Sequence, residues 1–193
     1  NGELQTVTTR SVIGADGARS SVAAQCLKNA GRVPCVFAYH EIVEVPDEVT
    51  EDYDPTRCDV YYQGHLSPDF YAWIFPHGKT ASIGLGSADK GFPLRETTRL
   101  MREQTGLADW KTLRREGAPI PLKPLKRWDN GRNVVVAGDA AGVVAPSSGE
   151  GIYYAMTAGR MSADAVSAFL KSGNPSALRL ARNEFLDDRL GRS

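Results

Sequence analysis

"VVVAGDAAGVVAPSSGEGIYYAM", residues 134–156, carries a β-branched run through a loop rich in glycine and serine and straight into a helix. The unbroken apolar run from Val134 to Val136 reads as a strand covered on both faces, the setting of a parallel sheet in an α/β fold. Such a strand ending in Gly138-Asp139 puts a carboxylate at its carboxyl end, where open α/β sheets bind ligands. Asp139 is therefore placed to accept hydrogen bonds from ligand hydroxyls. Gly149 and Gly151 flank Glu150 at the start of a helix expected from about Gly151 to Leu170. Missing side chains there admit a planar ligand, and the free N–H groups of a helix start offer partial positive charge. The competing reading makes Asp139 a helix N-cap bonding its own backbone and the glycines simple turn formers.

A second strand-end Asp-Gly pair stands near the beginning, in "VIGADGARSS" from Val12. It reads either as a backbone pinch beside a dinucleotide, with Arg19 free to meet a phosphate or carboxylate, or as a tight turn with a surface arginine. Ser20 or Ser21 is the expected N-cap of a short helix reaching Lys28. Before it, Asn1-Gly2 and the alternation Leu4, Val7, Thr9 predict the end of a hairpin. From Val33 to about Gly86 the pattern turns to strands, "VFAYHEIVEV", "CDVYYQG", "FYAWIFP" and "TASIGLG", which predict an antiparallel sheet. "PLRETTRLMREQTG" predicts an amphipathic helix with Pro93 in its first turn, an apolar face of Leu94, Leu100 and Met101, and Gly106 as its stop. "IPLKPLKRW" is interrupted by proline and leads the chain back from one domain to another. Gly173 and Pro175 close the helix that follows Gly151, and "SALRLARNEFLDDRL" makes another.

Composition narrows the function classes. Lysine and arginine together number 23, as do aspartate and glutamate, in 193 residues. No net positive field gathers nucleic acid by counterion release, so nucleic acid is not an expected partner. No stretch approaches the length of a membrane span, so any membrane contact is expected to be peripheral. Cys26, Cys35 and Cys58 are odd in number and widely spaced, which predicts reduced, buried thiols and a cytoplasmic setting. His40, His65 and His77 lack zinc-ligand spacing, and no metal site is expected.

Taken together, "VIGADGARSSV" and "VVVAGDAAGVVAPSSGEGI" resemble the DG and GD motifs of FAD-dependent oxidoreductases of the hydroxylase type, in that order and on either side of a sheet domain. Between them, "PDFYAWIFP" from Pro68 to Pro76 is similar to the PxxYxWxFP pattern of geranylgeranyl reductases, closest to the chlorophyll and bacteriochlorophyll branch. The resemblance implies an α/β fold: an incomplete FAD/NAD(P)-binding Rossmann-like domain with an inserted antiparallel β-sheet substrate domain. Residues 1–30 and 126–193 would form the cofactor domain and 31–125 the insert. It implies that Gly138 and Asp139 bond the ribityl chain of FAD, that Gly149, Glu150, Gly151 and Ile152 lie along the flavin pyrimidine edge, and that Asp16 and Gly17 sit near the ribityl and pyrophosphate region. Tyr71, Trp73 and Phe75 would line the pocket for an isoprenoid chain, and a period-two row of aromatics does present a flat apolar wall. The alternative for that row is plain sheet core.

The implied activity is an NADPH- and FAD-dependent reductase that saturates C=C bonds of a geranylgeranyl group, on a (bacterio)chlorophyll ester or the free diphosphate, beside a photosynthetic membrane. Glu150 is the candidate proton donor nearest the flavin loop; its alternative role is an acid complementing a helix dipole. Two other readings use the same residues: an aromatic-ring or squalene-type monooxygenase, and a non-catalytic pigment or lipid carrier. The family's GxGxxG pyrophosphate turn is absent, since "GLGSAD" from Gly84 and "GEGIYY" from Gly149 both lack the third glycine. The expectation is a fragment lacking the amino-terminal βαβ portion and part of the carboxyl end, inactive alone and weak in FAD binding.

Overall fold

Two short valine-containing strands, far apart in sequence, close the first part of the structure. The computed structural model describes residues 3–28, 30, 33–49, 51–145 and 147–189. Its contacts divide the chain into one unit of Asn1–Pro34 with Pro121–Ser193 and another of Cys35–Ile120. Numbering elements in chain order, β1 (Val12–Gly14) pairs in parallel with β7 (Val134–Val136), Val12 opposite Val134 and Gly14 opposite Val136. The pairing continues as Val12 N–H donates to Asn133 O and Ala137 N–H to Gly14 O.

Val135 and Val136 are fully buried against Ala158, Met161 and Ala165 of α3 (Ile152–Ser172) and Phe185 of α4 (Leu180–Arg189). Small residues at 158 and 165 let α3 lie close to the strands, and the ring of Trp128 fills the remaining space beside Phe185, centroids 5.2 Å apart. Gly173 ends α3 and a 3₁₀ turn over Pro175–Arg179 leads into α4. The short helix α1 (Ser21–Cys26) packs so near β1 that a Cβ on Gly14 would stand 2.7 Å from Val22 Cγ1.

The expected hairpin at the start does not form in the described part. Asn1 and Gly2 lie outside the described residues. Residues 3–9 hold no strand, and Leu4 and Val7 are exposed, so their alternation meets no apolar face that burial would reward.

The second unit is a five-stranded sheet in the order β3-β4-β5-β2-β6. Its strands are β2 (Cys35–Glu44), β3 (Asp59–Tyr61), β4 (Ala72–His77), β5 (Thr80–Ser87) and β6 (Thr112–Pro121). The antiparallel register sets Val43, Glu41 and Tyr39 across from Ala81, Ile83 and Leu85, and Ile74 and Ala72 beyond them. Helix α2 (Leu94–Gln104) is part of the core on this face, its fully buried Met101 meeting Leu107, Ile83 and Leu85. Pro93 is the N-cap residue, one position before the expected first turn. Leu100 was expected on the buried face and is 42% exposed; the face instead buries Thr97, Thr98, Met101 and Arg102. Two of these polar residues solve their burial locally, Thr97 and Thr98 each donating a hydroxyl to a carbonyl one turn back. The thiols also depart from expectation: Cys26 and Cys58 are exposed and Cys35 half-buried, so none serves as a core hydrophobe.

Arg102 ties this unit together. Its guanidinium pairs with Glu41 Oε2 at 2.5 Å, donates to Leu107 O and Ala108 O at 3.1 Å each, bonds Trp110 O, and reaches Thr112 Oγ1 at 2.8 Å. Glu41 accepts further bonds from Tyr39 Oη, Arg115 Nε and Thr112 Oγ1. One buried pair thus links α2, the 107–110 turn, β2 and β6. Burial pushes the Glu41 carboxyl upward, but the four side-chain hydrogen bonds outweigh it and hold the group below its ordinary 4.5.

Arg102→Ala removes the buried partner of Glu41, which keeps Tyr39, Thr112 and Arg115, and leaves three carbonyls without their donor; it is expected to remove about 3 kcal/mol and to lower the thermal midpoint measurably. Because the folded-state value of Glu41 is depressed, its stabilisation is present above 4.5 and is lost as pH falls through the lower, folded value. Glu41→Gln should flatten that acid limb in midpoints recorded from pH 7 downward; an unchanged acid limb would refute the assignment.

Candidate functional site

The parallel pairing of β1 and β7 delivers both Asp-Gly turns to one end of the same strand pair. Beyond β7 the chain makes a single 3₁₀ turn, Gly138–Ala141, which Gly142 closes. Gly138 stands at φ +60° and Gly142 at φ +78°, left-handed conformations that favour glycine. Space requires glycine as well: a Cβ on Gly138 would meet Ala155 Cβ at 3.1 Å, and one on Gly142 would meet Lys123 O at 2.5 Å.

This turn aims Asp139 at the start of α3, where a Cβ on Gly151 would lie 3.3 Å from Asp139 Oδ1. The Asp139 carboxylate is half-buried and accepts no hydrogen bond from any other described residue. Burial raises its pKa above the ordinary value, only partly offset by its own backbone N–H. It therefore does not cap a helix; α3 has Gly151 at its N-cap and no side-chain cap there. The N–H groups of Gly151 and Ile152 likewise meet no acceptor among the described residues. A lone acceptor beside two lone donors, with glycines clearing the approach, suits a ligand that brings hydroxyls and the acceptor edge of a flat ring.

Glu150 does something else: its Oε1 accepts the Tyr153 N–H at 2.8 Å, satisfying one of the free donors of the α3 start. Gly149 donates its N–H to Ala145 O and shapes the loop.

At the end of β1, Asp16 is already engaged. Its Oδ1 accepts from Ser20 Oγ at 2.5 Å and its Oδ2 from Val22 N–H at 3.1 Å, while Ser20 Oγ caps Ala23 N–H. The Ser20 bond leads in holding its pKa below the ordinary value. Asp16 builds the turn and fixes α1, and Gly17, at φ +81° with open space where a Cβ would be, leaves the backbone accessible. Arg19 is exposed and has no partner among the described residues.

The aromatic row belongs to the second unit, on the sheet face opposite the one that α2 shares. Trp73 stacks on Phe75 with centroids 5.9 Å apart, meets Tyr71 edge-on at 5.8 Å, and Tyr71 in turn stacks on Phe70 at 4.2 Å. The strand beside it is cut back to make room. A Cβ on Gly84 would stand 2.6 Å from Trp73 Cζ2, and one on Gly86 2.8 Å from Phe70 Cδ1. Those two glycines of "GLGSAD" thus serve aromatic packing in β5, not a phosphate turn.

Beneath the row lies a polar chain that the sequence reading did not single out. Trp73 Nε1 donates to Ser82 Oγ at 3.0 Å, Ser82 Oγ lies 2.8 Å from His40 Nδ1, and His40 Nε2 lies 3.2 Å from Glu116 Oε2. The signal was present only as register, since His40 and Ser82 fall on the same face as Trp73 once β2, β5 and β4 are paired.

No protein-family model matches the chain. It is 58% identical over 187 residues to a geranylgeranyl diphosphate reductase of Rhodobacter capsulatus, covering 97% of this chain and 47% of that relative. The chain thus spans about half the length of the curated relative. Among solved structures, a geranylgeranyl bacteriochlorophyll reductase-like protein from Thermoplasma acidophilum superposes with a TM-score of 0.78 at 22% identity, over 93% of this chain and 46% of that one. The flavin-dependent halogenase CmlS superposes with a TM-score of 0.64 at 15% identity, over 92% and 34%. The fold is that of the FAD-dependent oxidoreductases, and the chain belongs to the geranylgeranyl reductase family.

Proposed function

We propose that the protein containing this chain is a flavin-dependent reductase that saturates C=C bonds of a geranylgeranyl group, carried on a (bacterio)chlorophyll ester or on the free diphosphate. The observation that carries the reading is the Asp139 carboxylate, bonded only by its own N–H among the described residues, beside the N–H groups of Gly151 and Ile152, which meet no acceptor there. Those groups fit FAD, whose ribityl hydroxyls supply donors and whose pyrimidine edge supplies acceptors. Gly149 and Glu150 shape the same loop, and Asp16 and Gly17 border the ribityl and pyrophosphate end through their backbone. Held by these residues and reduced by NADPH, FAD would supply the hydride for one alkene carbon, the proton for the other coming from an acid or water.

The chain's own residues bind and orient. In this reading Tyr71, Trp73 and Phe75 form the wall along which the isoprenoid lies, holding an alkene in place and excluding water. Ser82 fixes the plane of the Trp73 indole through the Nε1 bond. Glu150 serves the helix start through its bond to Tyr153. No helix among the described residues is long and apolar enough to cross a membrane, and a working position against a photosynthetic membrane would rest on surface contacts.

Two variants test the cofactor assignment in the full-length protein. Asp139→Ala should weaken FAD by about 1.5–3 kcal/mol, one to two decades in Kd, and Asp139→Asn by less, since an acceptor of the same shape remains. Without ligand the ordering reverses. A carboxyl whose folded-state pKa is raised destabilises the fold progressively as pH rises through that value. Asp139→Asn should therefore raise the apoprotein midpoint at neutral pH, with the gain vanishing below the ordinary 3.8. Flavin fluorescence titration and pH-dependent melting read the two effects, and an unchanged FAD Kd in Asp139→Ala would sink the assignment.

The wall is tested by Ser82→Ala, which releases the indole without removing it. We expect a rise of roughly threefold to tenfold in KM for the prenyl substrate, with kcat and FAD content nearly constant. A lowered midpoint with unaltered KM would make the row plain sheet core.

A further inference from the structure

In the first unit, behind the turn that follows β7, a cleft of about 550 Å³ is lined by Lys28, Lys123, Lys126 and Arg127 over apolar residues that include Val33 and Leu125. The chain as a whole carries equal numbers of basic and acidic residues, yet among the described residues no carboxylate lines this cleft. Arg127 is held by Asp129 Oδ1 at 3.2 Å. Lys28, Lys123 and Lys126 make no ion pair with any described residue. Three cations that no described residue compensates, set around one concavity, raise the local concentration of anions there.

The basic segment is also fixed in place. Leu125 donates its N–H to Ala141 O at 2.9 Å and accepts from Arg182 Nε at 3.1 Å, Leu122 N–H donates to Pro34 O at 2.8 Å, and Lys123 O abuts Gly142. A site whose backbone is pinned on both sides loses little freedom when a ligand arrives. The cleft is larger than a bare phosphate requires, within the range of small-molecule pockets, and its floor is apolar.

We propose that this cleft binds the phosphate or diphosphate group of a phosphate ester whose remaining body is apolar or ring-bearing. The phosphate meets the three lysines and the body covers Val33 and Leu125. The inference does not rest on the flavin reading, because neither Asp139 nor the aromatic row takes part. A soluble phosphate ester and a phospholipid headgroup share this chemistry, and the test separates them.

The full-length protein is titrated calorimetrically with inorganic pyrophosphate, and sedimented with vesicles of phosphatidylglycerol or of phosphatidylcholine. The double variant Lys123→Ala/Lys126→Ala is compared with Lys79→Ala/Lys90→Ala, which removes equal charge from exposed positions elsewhere. Pyrophosphate binding weakened about tenfold in the cleft variant alone, and weakened by salt, supports a soluble ligand. Sedimentation with phosphatidylglycerol only, reduced in the cleft variant alone, supports a headgroup. Binding to neither probe, equal losses in both variants, or a cleft variant that binds as the parent does would overturn the proposal. Lys123 and Lys126 are both exposed, so the variant should melt as the parent does.

Discussion

Three residues of parallel pairing, Val12–Gly14 against Val134–Val136, determine where everything in the first unit goes. The pairing joins segments separated by the whole second unit, and long-range closure of this kind is slow and entropically unfavourable until other contacts offset it. Full burial of Val135 and Val136 against α3 and α4 provides that offset. The register then decides the chemistry. With Gly14 opposite Val136, Asp16 and Asp139 leave the strands at the same end, one bonded to the start of α1 and the other bonded by no other described residue.

The two aspartates differ in what the fold does to their charge. Both follow a short strand and both adjoin a glycine, but Asp16 is held below its ordinary pKa by groups that stabilise its charge, whereas burial raises Asp139. A carboxylate kept where the fold opposes its ionisation destabilises the apoprotein, a pattern that clusters at binding sites. The same distinction holds in the second unit. Glu41 is buried and fully bonded by Arg102, Tyr39, Arg115 and Thr112, so it belongs to the framework on the helix face. The opposite face carries the aromatic row, with Trp73 buried and Tyr71 and Phe75 half-buried, at the expense of β5 side chains at Gly84 and Gly86.

What could be read in the sequence was whatever rests on local periodicity and turn chemistry. The valine run, the Gly138-Asp139 turn, the long helix with its Gly173 stop, the Ser20 cap and four strands of the sheet all declare themselves within about ten residues. The fifth strand did not, because "TLRREGAPIP" is charged and largely exposed; among its ties to β2 are the bonds of Thr112 and Arg115 to Glu41. Leu100 misled for a related reason, since α2 buries threonines and an arginine whose polar atoms find partners that no helical wheel records. The capping role of Glu150 and the service of Ser82 to Trp73 also depend on geometry beyond residue type. The spacing of lysines at 123 and 126 carried no sign of a cleft, which exists only once Leu125 is anchored to Ala141 and Arg182.

The hydrogen bond from Leu122 N–H to Pro34 O means that the segments leaving and re-entering the first unit run side by side. The long excursion through the sheet therefore begins and ends at one rung. Such a seam makes the excursion a graft: its length and contents can drift, or be exchanged for another sheet, without stretching the parent that carries the strand-end turns. Swapping the segment between relatives at this rung is the natural cut for building chimaeras that keep the first unit and vary the sheet.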